Sequence, residues 1–202
     1  MRKLKIEFYQ RPNVVQIAKE LLGKIVVTKW NGIETSGRIV EVEAYNGAID
    51  KASHAAGGRR TNRNEIMYAD GGVAYVYLCY GIHHLFNVVT NKKEMPHAIL
   101  IRALEPLKGI DMMLERTGKK QLDNSLTRGP GNVSKALAIS FKQHSGHSLV
   151  SKDLFIAEDD FIFNQKELSA SPRIGVDYAG EDAKLLYRFF IKGNPFVSGK
   201  PK

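Results

Sequence analysis

The chain has little cysteine, little tryptophan and a shortage of acidic residues. Cys79 is its one cysteine, it has one tryptophan in 202 residues, and 21 acidic residues stand against 30 basic ones. A single cysteine excludes an internal disulfide and a cysteine-rich zinc site. No apolar run reaches the roughly 20 residues of a membrane-spanning helix, and the basic start MRKLKIEFYQ lacks the apolar stretch of a signal peptide. These absences predict a reducing, intracellular setting without a membrane.

The charge balance is the most informative feature of the composition. The formal net charge is +9 and the isoelectric point is near 9.6, which favours a polyanionic partner. We place nucleic acid ahead of an anionic membrane, because no basic helix with a bulky apolar face is apparent. A charge that serves solubility alone remains an alternative at this stage.

Hydrophobic periodicity predicts one mixed α/β (α+β) domain over residues 1–202 with a largely antiparallel sheet and flanking helices. Asn31-Gly32 between two β-rich segments predicts a hairpin with a two-residue turn. Helices are expected over residues 12–22, 109–118 and 128–140. Strands are expected over 24–30, up to 45 in its hairpin partner, 74–80, 85–90 and 98–104, and near 153–163, 172–176 and 187–192.

The segment GRIVEVEAYNG (37–47) carries two acids and a tyrosine at alternate positions. In a strand, Glu41, Glu43 and Tyr45 point to one face. A carboxylate beside a tyrosine can act as a general base that takes a proton from water. The alternative is that both acids lie on the solvent face of a half-buried strand.

The segment YVYLCYGIHHLFN (75–87) predicts a strand that ends in an exposed tip. Gly81 breaks the strand, so Tyr80, Ile82 and His83 are expected at the turn. Bulky groups there suit insertion into a base stack, and flat rings suit holding a base. Packing in the sheet core is the alternative, mainly for Tyr75.

The segment GGRRTNRN (57–64) concentrates arginines on a glycine-rich backbone, which suits contacts with phosphates. An ordinary solvated loop is the alternative. Metal chemistry is not indicated, because His83 and His84 are adjacent and point apart on a strand, and no acid or cysteine completes a ligand set. No phosphate-cradling motif or GxSxG motif is present.

Several blocks together resemble one family. GRIVEVEAYNGAIDKASHAAGGRRTNRN, YVYLCYGIHHLFNVVT, ILIRALEP, RGPGNVSKALAI, SPRIGV and RFF…NPFVS follow in order the signature blocks of the alkyladenine (3-methyladenine or methylpurine) DNA glycosylases, over roughly residues 12–198. The resemblance implies a single mixed α/β domain with a curved antiparallel sheet. It also implies a monofunctional enzyme that flips alkylated or deaminated purines out of duplex DNA and hydrolyses the N-glycosidic bond, which starts base excision repair.

The resemblance also implies residue roles. Glu43 matches the general base, and Arg102 and the backbone carbonyl of Ile174 match the groups that hold the attacking water. The residues that match the base pocket are Tyr45 and Tyr77, expected to stack on the base, His54, expected at its edge, and Asn87, expected to select against the exocyclic amine of guanine.

The remaining matches concern the DNA. Tyr80 matches the wedge that fills the gap left by the flipped nucleotide, with Ile82 and His83 beside it. The basic loop near the DNA is matched by Arg59, Thr61 and Arg63. Two positions depart from the family pattern: Arg128 stands where asparagine is common, and His83 stands where an aromatic residue is frequent.

The resemblance implies damaged double-stranded DNA as the partner, a monomer, and no cofactor or metal. The site of action would be the cytoplasm, at the nucleoid, in a prokaryote, or the nucleus in a eukaryote. Glu41 is given only a supporting role. A non-catalytic module that binds nucleic acid by its shape is the alternative function.

Overall fold

The computed structural model describes residues 1–199, and a nine-stranded sheet organises them. All the strand pairings are antiparallel, and the main order is β1-β7-β2-β3-β6-β5-β4, with β9 paired to both β3 and β8. This confirms the predicted mixed α/β class. The strands are β1 (Arg2–Lys3), β2 (Ile25–Trp30), β3 (Ile33–Tyr45), β4 (Ala74–Cys79), β5 (His83–Thr90), β6 (His97–Lys108), β7 (Leu154–Glu158), β8 (Leu168–Ser171) and β9 (Arg188–Ile191).

Short helices cover the sheet, and their ends follow local signals. The longest N-terminal one begins after Asn13, whose side chain accepts a hydrogen bond from the Gln16 N–H, and it buries an apolar stripe against the core. Gly23 follows in a left-handed conformation. No helix within residues 1–199 is long and apolar enough to cross a membrane. The α-helices are α1 (Ile6–Tyr9), α2 (Val14–Leu21), α3 (Ile110–Thr117), α4 (Pro130–Ala136) and α5 (Phe141–His144).

The predicted hairpin between β2 and β3 is confirmed. Trp30 pairs with Ile33, and the two residues between them, Asn31 and Gly32, have φ angles of 53° and 80°. Positive φ at both central positions is what a two-residue hairpin turn with the twist of its strands requires.

Strand β3 lies inside the sheet along its length. Its first half pairs with β2, its second half with β9, and its other edge with β6 across register shifts on either side of Glu41. Glu41 and Glu43 are therefore fully buried, and the solvent-face alternative for these acids is wrong. The strand expected near 172–176 is also wrong, because β8 ends at Ser171.

The loop between β3 and β4 folds over one end of the sheet through short turns of 3-10 helix. Asn64 is buried and holds the loop together: its side chain accepts from the Thr61 N–H and donates to the carbonyls of His54 and Arg59. A second apolar cluster, which includes Met67 and Tyr75, fixes the loop on the sheet. The loop thus forms one wall above β4 and β5.

Candidate active site

A cavity of about 560 Å³ lies between the sheet, the β3–β4 loop and the segment after β8. A volume in this range is typical of small-molecule sites. Most of the predicted site residues meet on its wall, namely Glu43, Tyr45, His54, Arg63, Tyr77, Tyr80, Asn87, Arg102 and Ile174. The predicted residues that are not on the wall are Arg59, Thr61, Ile82 and His83.

Glu43 is the buried carboxylate of this cavity. Its Oε1 accepts a hydrogen bond from the Ile174 N–H at 2.8 Å, and its Oε2 accepts one from the Tyr45 hydroxyl at 2.9 Å. The Arg102 Nη1 lies 3.3 Å from Oε2. The arrangement therefore places a carboxylate, which can accept a proton, at the cavity wall. The Ile174 contact runs through the N–H; the predicted role of its carbonyl stays a prediction.

Glu41 lies behind Glu43 and organises the arginines. Its carboxylate accepts hydrogen bonds from Arg102 Nε at 2.9 Å, from Arg188 Nε at 2.7 Å, and from the backbone N–H and hydroxyl of Ser198 at 2.6 and 2.8 Å. Burial lowers the pKa of Arg102, but the charges of Glu43 and Glu41 outweigh it and raise that pKa. Arg102 therefore stays charged. Sequence reasoning missed Arg188 and Ser198, although both lie in the closing block RFF…NPFVS.

Aromatic rings form the opposite wall. The centroid of His54 lies 4.6 Å from that of Tyr77, edge to face, and its Nδ1 is 2.8 Å from the Tyr75 hydroxyl. Burial, together with the charges of Arg63 and Arg59, lowers the pKa of His54 to about 4. The imidazole is therefore neutral at neutral pH. Tyr75 is itself buried, which agrees with its packing in the core.

Tyr45 is fixed in place by an ion pair that sequence reasoning missed. The Arg173 guanidinium lies 4.8 Å from the Tyr45 ring centroid and forms a two-pronged contact with Asp50 at 2.5 and 2.8 Å. Burial and the charge of Glu43 raise the pKa of Tyr45, so its hydroxyl remains a donor to Glu43. The ring, its hydroxyl and the adjacent segment are thus held as one unit.

Asn87 lines the cavity and is buried. Its Nδ2 donates to the carbonyls of Tyr75 and Leu85 at 3.1 and 3.2 Å. These two acceptors orient the amide, so Asn87 presents a fixed shape and not a mobile side chain.

The β4–β5 hairpin places bulky side chains at the mouth of the cavity. Cys79 pairs with His83, and in the turn between them Tyr80 is 91% exposed and Ile82 is 72% exposed. Tyr80 has a φ of 50° and Gly81 one of 74°, so the tyrosine stands in a conformation that non-glycine residues rarely adopt. The His83 ring lies close to Gly131 in α4.

The arginine-rich loop separates into two groups. Arg59, Arg60 and Arg63 are all exposed, but Arg60 forms ion pairs with Glu65 and Glu94. The Thr61 hydroxyl donates to Asn64 at 3.0 Å, so Thr61 helps to shape the loop. Within residues 1–199, no three histidine, cysteine, aspartate or glutamate side chains meet in an arrangement that could hold a metal ion.

Comparison with known proteins agrees with the geometry. The model of the methylpurine-DNA glycosylase (MPG) family matches residues 7–195. A Clostridium perfringens (strain 13) protein is 43% identical over 96% of this chain and 98% of its own. A Clostridium acetobutylicum protein is 47% identical over 97% of both, and a Bacillus cereus (strain G9842) protein is 46% identical over 96% and 97%. Each of the three is named "Putative 3-methyladenine DNA glycosylase".

Proposed function

Since this chain belongs to the methylpurine-DNA glycosylase family, whose members are hydrolases of N-glycosidic bonds in DNA repair, we propose that it acts on alkylated or deaminated purines. It flips the damaged nucleotide out of the duplex, at a cost of a few kcal/mol that is least for poorly paired bases. A water molecule activated by Glu43 then hydrolyses the bond, and base excision repair begins.

The observation that carries this proposal is the environment of Glu43. The carboxylate is buried, held by the Ile174 N–H and the Tyr45 hydroxyl, and open to a cavity in which a base could lie. Such a carboxylate can take the proton of the attacking water and stabilise the positive charge that develops on the sugar. We assign Arg102 and the Ile174 carbonyl to hold that water.

The aromatic wall suits the leaving group. N3- and N7-alkylated purines are cationic, so they leave without protonation and gain roughly 1–2 kcal/mol from electron-rich rings such as Tyr45 and Tyr77. The neutral imidazole of His54 adds no charge to repel them. A neutral lesion such as hypoxanthine requires a proton on the base. We assign Asn87 to exclude the exocyclic amine of normal guanine.

The surface around the cavity supports the proposed approach to DNA. Tyr80 is the wedge, because it lines the cavity and is exposed. Ile82 and His83 lie beside it, exposed at the tip of the hairpin. Exposed Arg59 and Arg63 contact phosphates, and Thr61 shapes their loop. Apolar and aromatic wedges between base steps are a common way to distort a duplex.

The reaction leaves an abasic site and an intact strand. Within residues 1–199, no lysine lines the cavity, and a monofunctional glycosylase uses water where a bifunctional one uses an amine. A borohydride-trapped enzyme–DNA adduct would contradict this. We propose that the protein works as a monomer without a cofactor, in the cytoplasm of a bacterium, since the relatives are bacterial.

Duplex oligonucleotides with one lesion each (7-methylguanine, a 3-methyladenine analogue, hypoxanthine or ethenoadenine) test the proposal. Hot alkali should cleave the strand after treatment with the wild type, and Glu43→Gln should lower the single-turnover rate by several orders of magnitude while DNA binding persists. Glu181→Gln is the matched control, because that glutamate is exposed and paired with Lys184 on the surface. DNA binding without release of any lesion base would instead support the non-catalytic module.

A further inference from the structure

We propose that Glu41 is a positioning residue, which keeps Arg102 and Arg188 on its own carboxylate and so leaves Glu43 free to accept a proton. The inference rests on the proposed function of Glu43. It assigns a task to an acid that lies two residues earlier on the same strand and does not line the cavity.

The hydrogen bonds divide the arginines unevenly between the two carboxylates. Glu41 accepts hydrogen bonds from the Nε of Arg102 at 2.9 Å and the Nε of Arg188 at 2.7 Å. Glu43 has one guanidinium nitrogen close to its carboxylate: the Arg102 Nη1 lies 3.3 Å from its Oε2. A two-pronged arginine contact is among the strongest that a carboxylate forms, and on Glu43 it would occupy the lone pairs that the attacking water needs. Glu41 prevents this by holding Arg102 through its Nε.

The charges balance only while both carboxylates are present. The side chains of Glu41 and Glu43 are completely buried, and those of Arg102 and Arg188 are 9% and 4% exposed. If Glu41 loses its charge, two buried guanidiniums share one buried carboxylate, which is Glu43. An uncompensated buried charge is strongly unfavourable, so the arginines would move toward Glu43.

Ser198, which follows β9, holds Glu41 and Arg102 in place through hydrogen bonds. Its N–H and hydroxyl both donate to Glu41, and its hydroxyl accepts from Arg102 Nη2 at 3.2 Å. Arg188 also donates to the Ser198 carbonyl and to the Ser171 hydroxyl. The closing segment thus fixes the plane of the Glu41 carboxylate and the angle at which Arg102 faces the cavity.

The arginine and tyrosine side chains near Glu43 do not titrate in the acidic range. Arginine remains charged at all accessible pH values, and burial raises the pKa of each nearby tyrosine. His54, whose pKa is about 4, titrates there, so the probe must report on Glu43 itself. The charged and titratable groups around Glu43 are Arg102, Arg173 with its partner Asp50, Tyr45, Tyr77 and Tyr178, with Glu41 and Arg188 behind.

The test follows the Glu43 side-chain carboxyl carbon by NMR in protein labelled with 13C-glutamate, with Glu43→Gln to assign the signal. Glu41→Gln removes a negative charge and frees the arginines, so the midpoint of the Glu43 titration should move to lower pH. Arg188→Met removes a positive charge, so the midpoint should move to higher pH. The single-turnover rate of Glu41→Gln at neutral pH should fall by about 10- to 100-fold, while its affinity for lesion DNA stays within about twofold.

Shifts of the Glu43 midpoint in opposite directions distinguish positioning from simple structural damage. Structural damage would not make the direction of the shift depend on the sign of the charge that is removed. Shifts in one direction for both variants, or none in either, would overturn the proposal. Asp159→Asn is the control, because it breaks the buried-arginine contact of Arg38 elsewhere in the fold and should leave the Glu43 midpoint unchanged. If Glu41→Gln does not fold, Ser198→Ala should shift the midpoint in the same direction by less, and no shift there would count against the idea.

The two proposals fail in distinguishable ways. If the wild type releases no lesion base, or Glu43→Gln is as active as the wild type, the proposed function fails while the titration shifts still report on Glu41. If the glycosylase is established but the midpoints do not separate, only the role of Glu41 is lost.

Discussion

His54 is neutral at neutral pH although basic side chains lie near it. Its low pKa makes the free energy of unfolding fall as the pH becomes acidic. Its native pKa is about 4 against an ordinary value of 6.5, because burial and then Arg63 and Arg59 disfavour the imidazolium. At pH values between about 4 and 6.5, the His54 imidazole binds a proton in the unfolded chain but not in the native one. The contribution to stability is therefore complete above about pH 6.5 and disappears as the pH falls toward 4.

Urea denaturation at pH 7 and pH 5 tests this. The wild type should lose about 2 kcal/mol of unfolding free energy through His54 alone over that interval. His54→Gln should show a correspondingly smaller loss, whereas His83→Gln, which removes an exposed imidazole, should match the wild type. Equal losses in the wild type and His54→Gln would mean that His54 is not the titrating group.

Tyr80 combines an exposed ring with an unfavourable backbone conformation. At a φ of 50°, a residue with a Cβ costs roughly 1–2 kcal/mol relative to glycine. The ring is 91% exposed and contributes little packing in return. Such a residue is expected where function and stability are in conflict.

Two variants of Tyr80 separate the ring from the backbone. Tyr80→Gly should match the wild type in thermal stability or exceed it slightly, and Tyr80→Ala should not exceed it, since the strain remains. Both should lose base flipping, measured by the fluorescence of 2-aminopurine beside the lesion. Normal flipping by either variant would remove Tyr80 from the role of wedge.

At the scale of elements, the sequence predicts what local chemistry decides. The β2–β3 hairpin follows from Asn31-Gly32, and α3 ends where Gly118 takes the left-handed conformation. The alternation of acidic residues in β3 predicted the strand correctly but left open whether the acids are buried. Their burial depends on β9, whose Arg188 contacts Glu41 across a separation of 147 positions in sequence. Arg173 and Asp50 gave no signal for the same reason: they are 123 positions apart in sequence and meet only when the chain folds.

The Arg173–Asp50 ion pair joins the segment after β8 to the β3–β4 loop. Both side chains are buried, with 0% and 1% exposed, and Arg173 also donates to the Ala44 carbonyl. Because removal of one partner leaves a buried charge uncompensated, Asp50→Ala should cost about 3–5 kcal/mol of unfolding free energy. Glu181→Ala, which breaks an exposed pair with Lys184, should cost less than about 1 kcal/mol.

Replacing both partners checks the cause. Asp50→Leu combined with Arg173→Met should recover part of the loss in urea denaturation, since no charge is then left alone. The double variant should still have lower activity, because Tyr45 and the Ile174 N–H lose their support. A double variant less stable than the sum of the single variants would contradict this account.

At the scale of the whole molecule, the charge of +9 coexists with a site whose buried ions balance. Buried Glu41, Glu43, Arg102 and Arg188 contribute no net charge, so the excess of positive charge lies outside the site. Arg63 lines the cavity and Arg59 is exposed on the same loop, whereas Arg60 is neutralised by two glutamates. We therefore expect duplex binding that weakens steeply as salt rises, with larger contributions from Arg59 and Arg63 than from Arg60.

The slope of log affinity against log salt concentration measures these contributions, because each lost phosphate contact reduces the slope by about 0.9. Arg59→Gln and Arg63→Gln should each reduce it by about that amount and weaken binding to all duplexes alike. Lys29→Gln, at the far β2–β3 hairpin and paired with Glu34, changes the net charge equally and should leave the slope unchanged. If all three variants reduced the slope to the same extent, net charge alone would govern binding, and the basic loop would have no special place on the DNA.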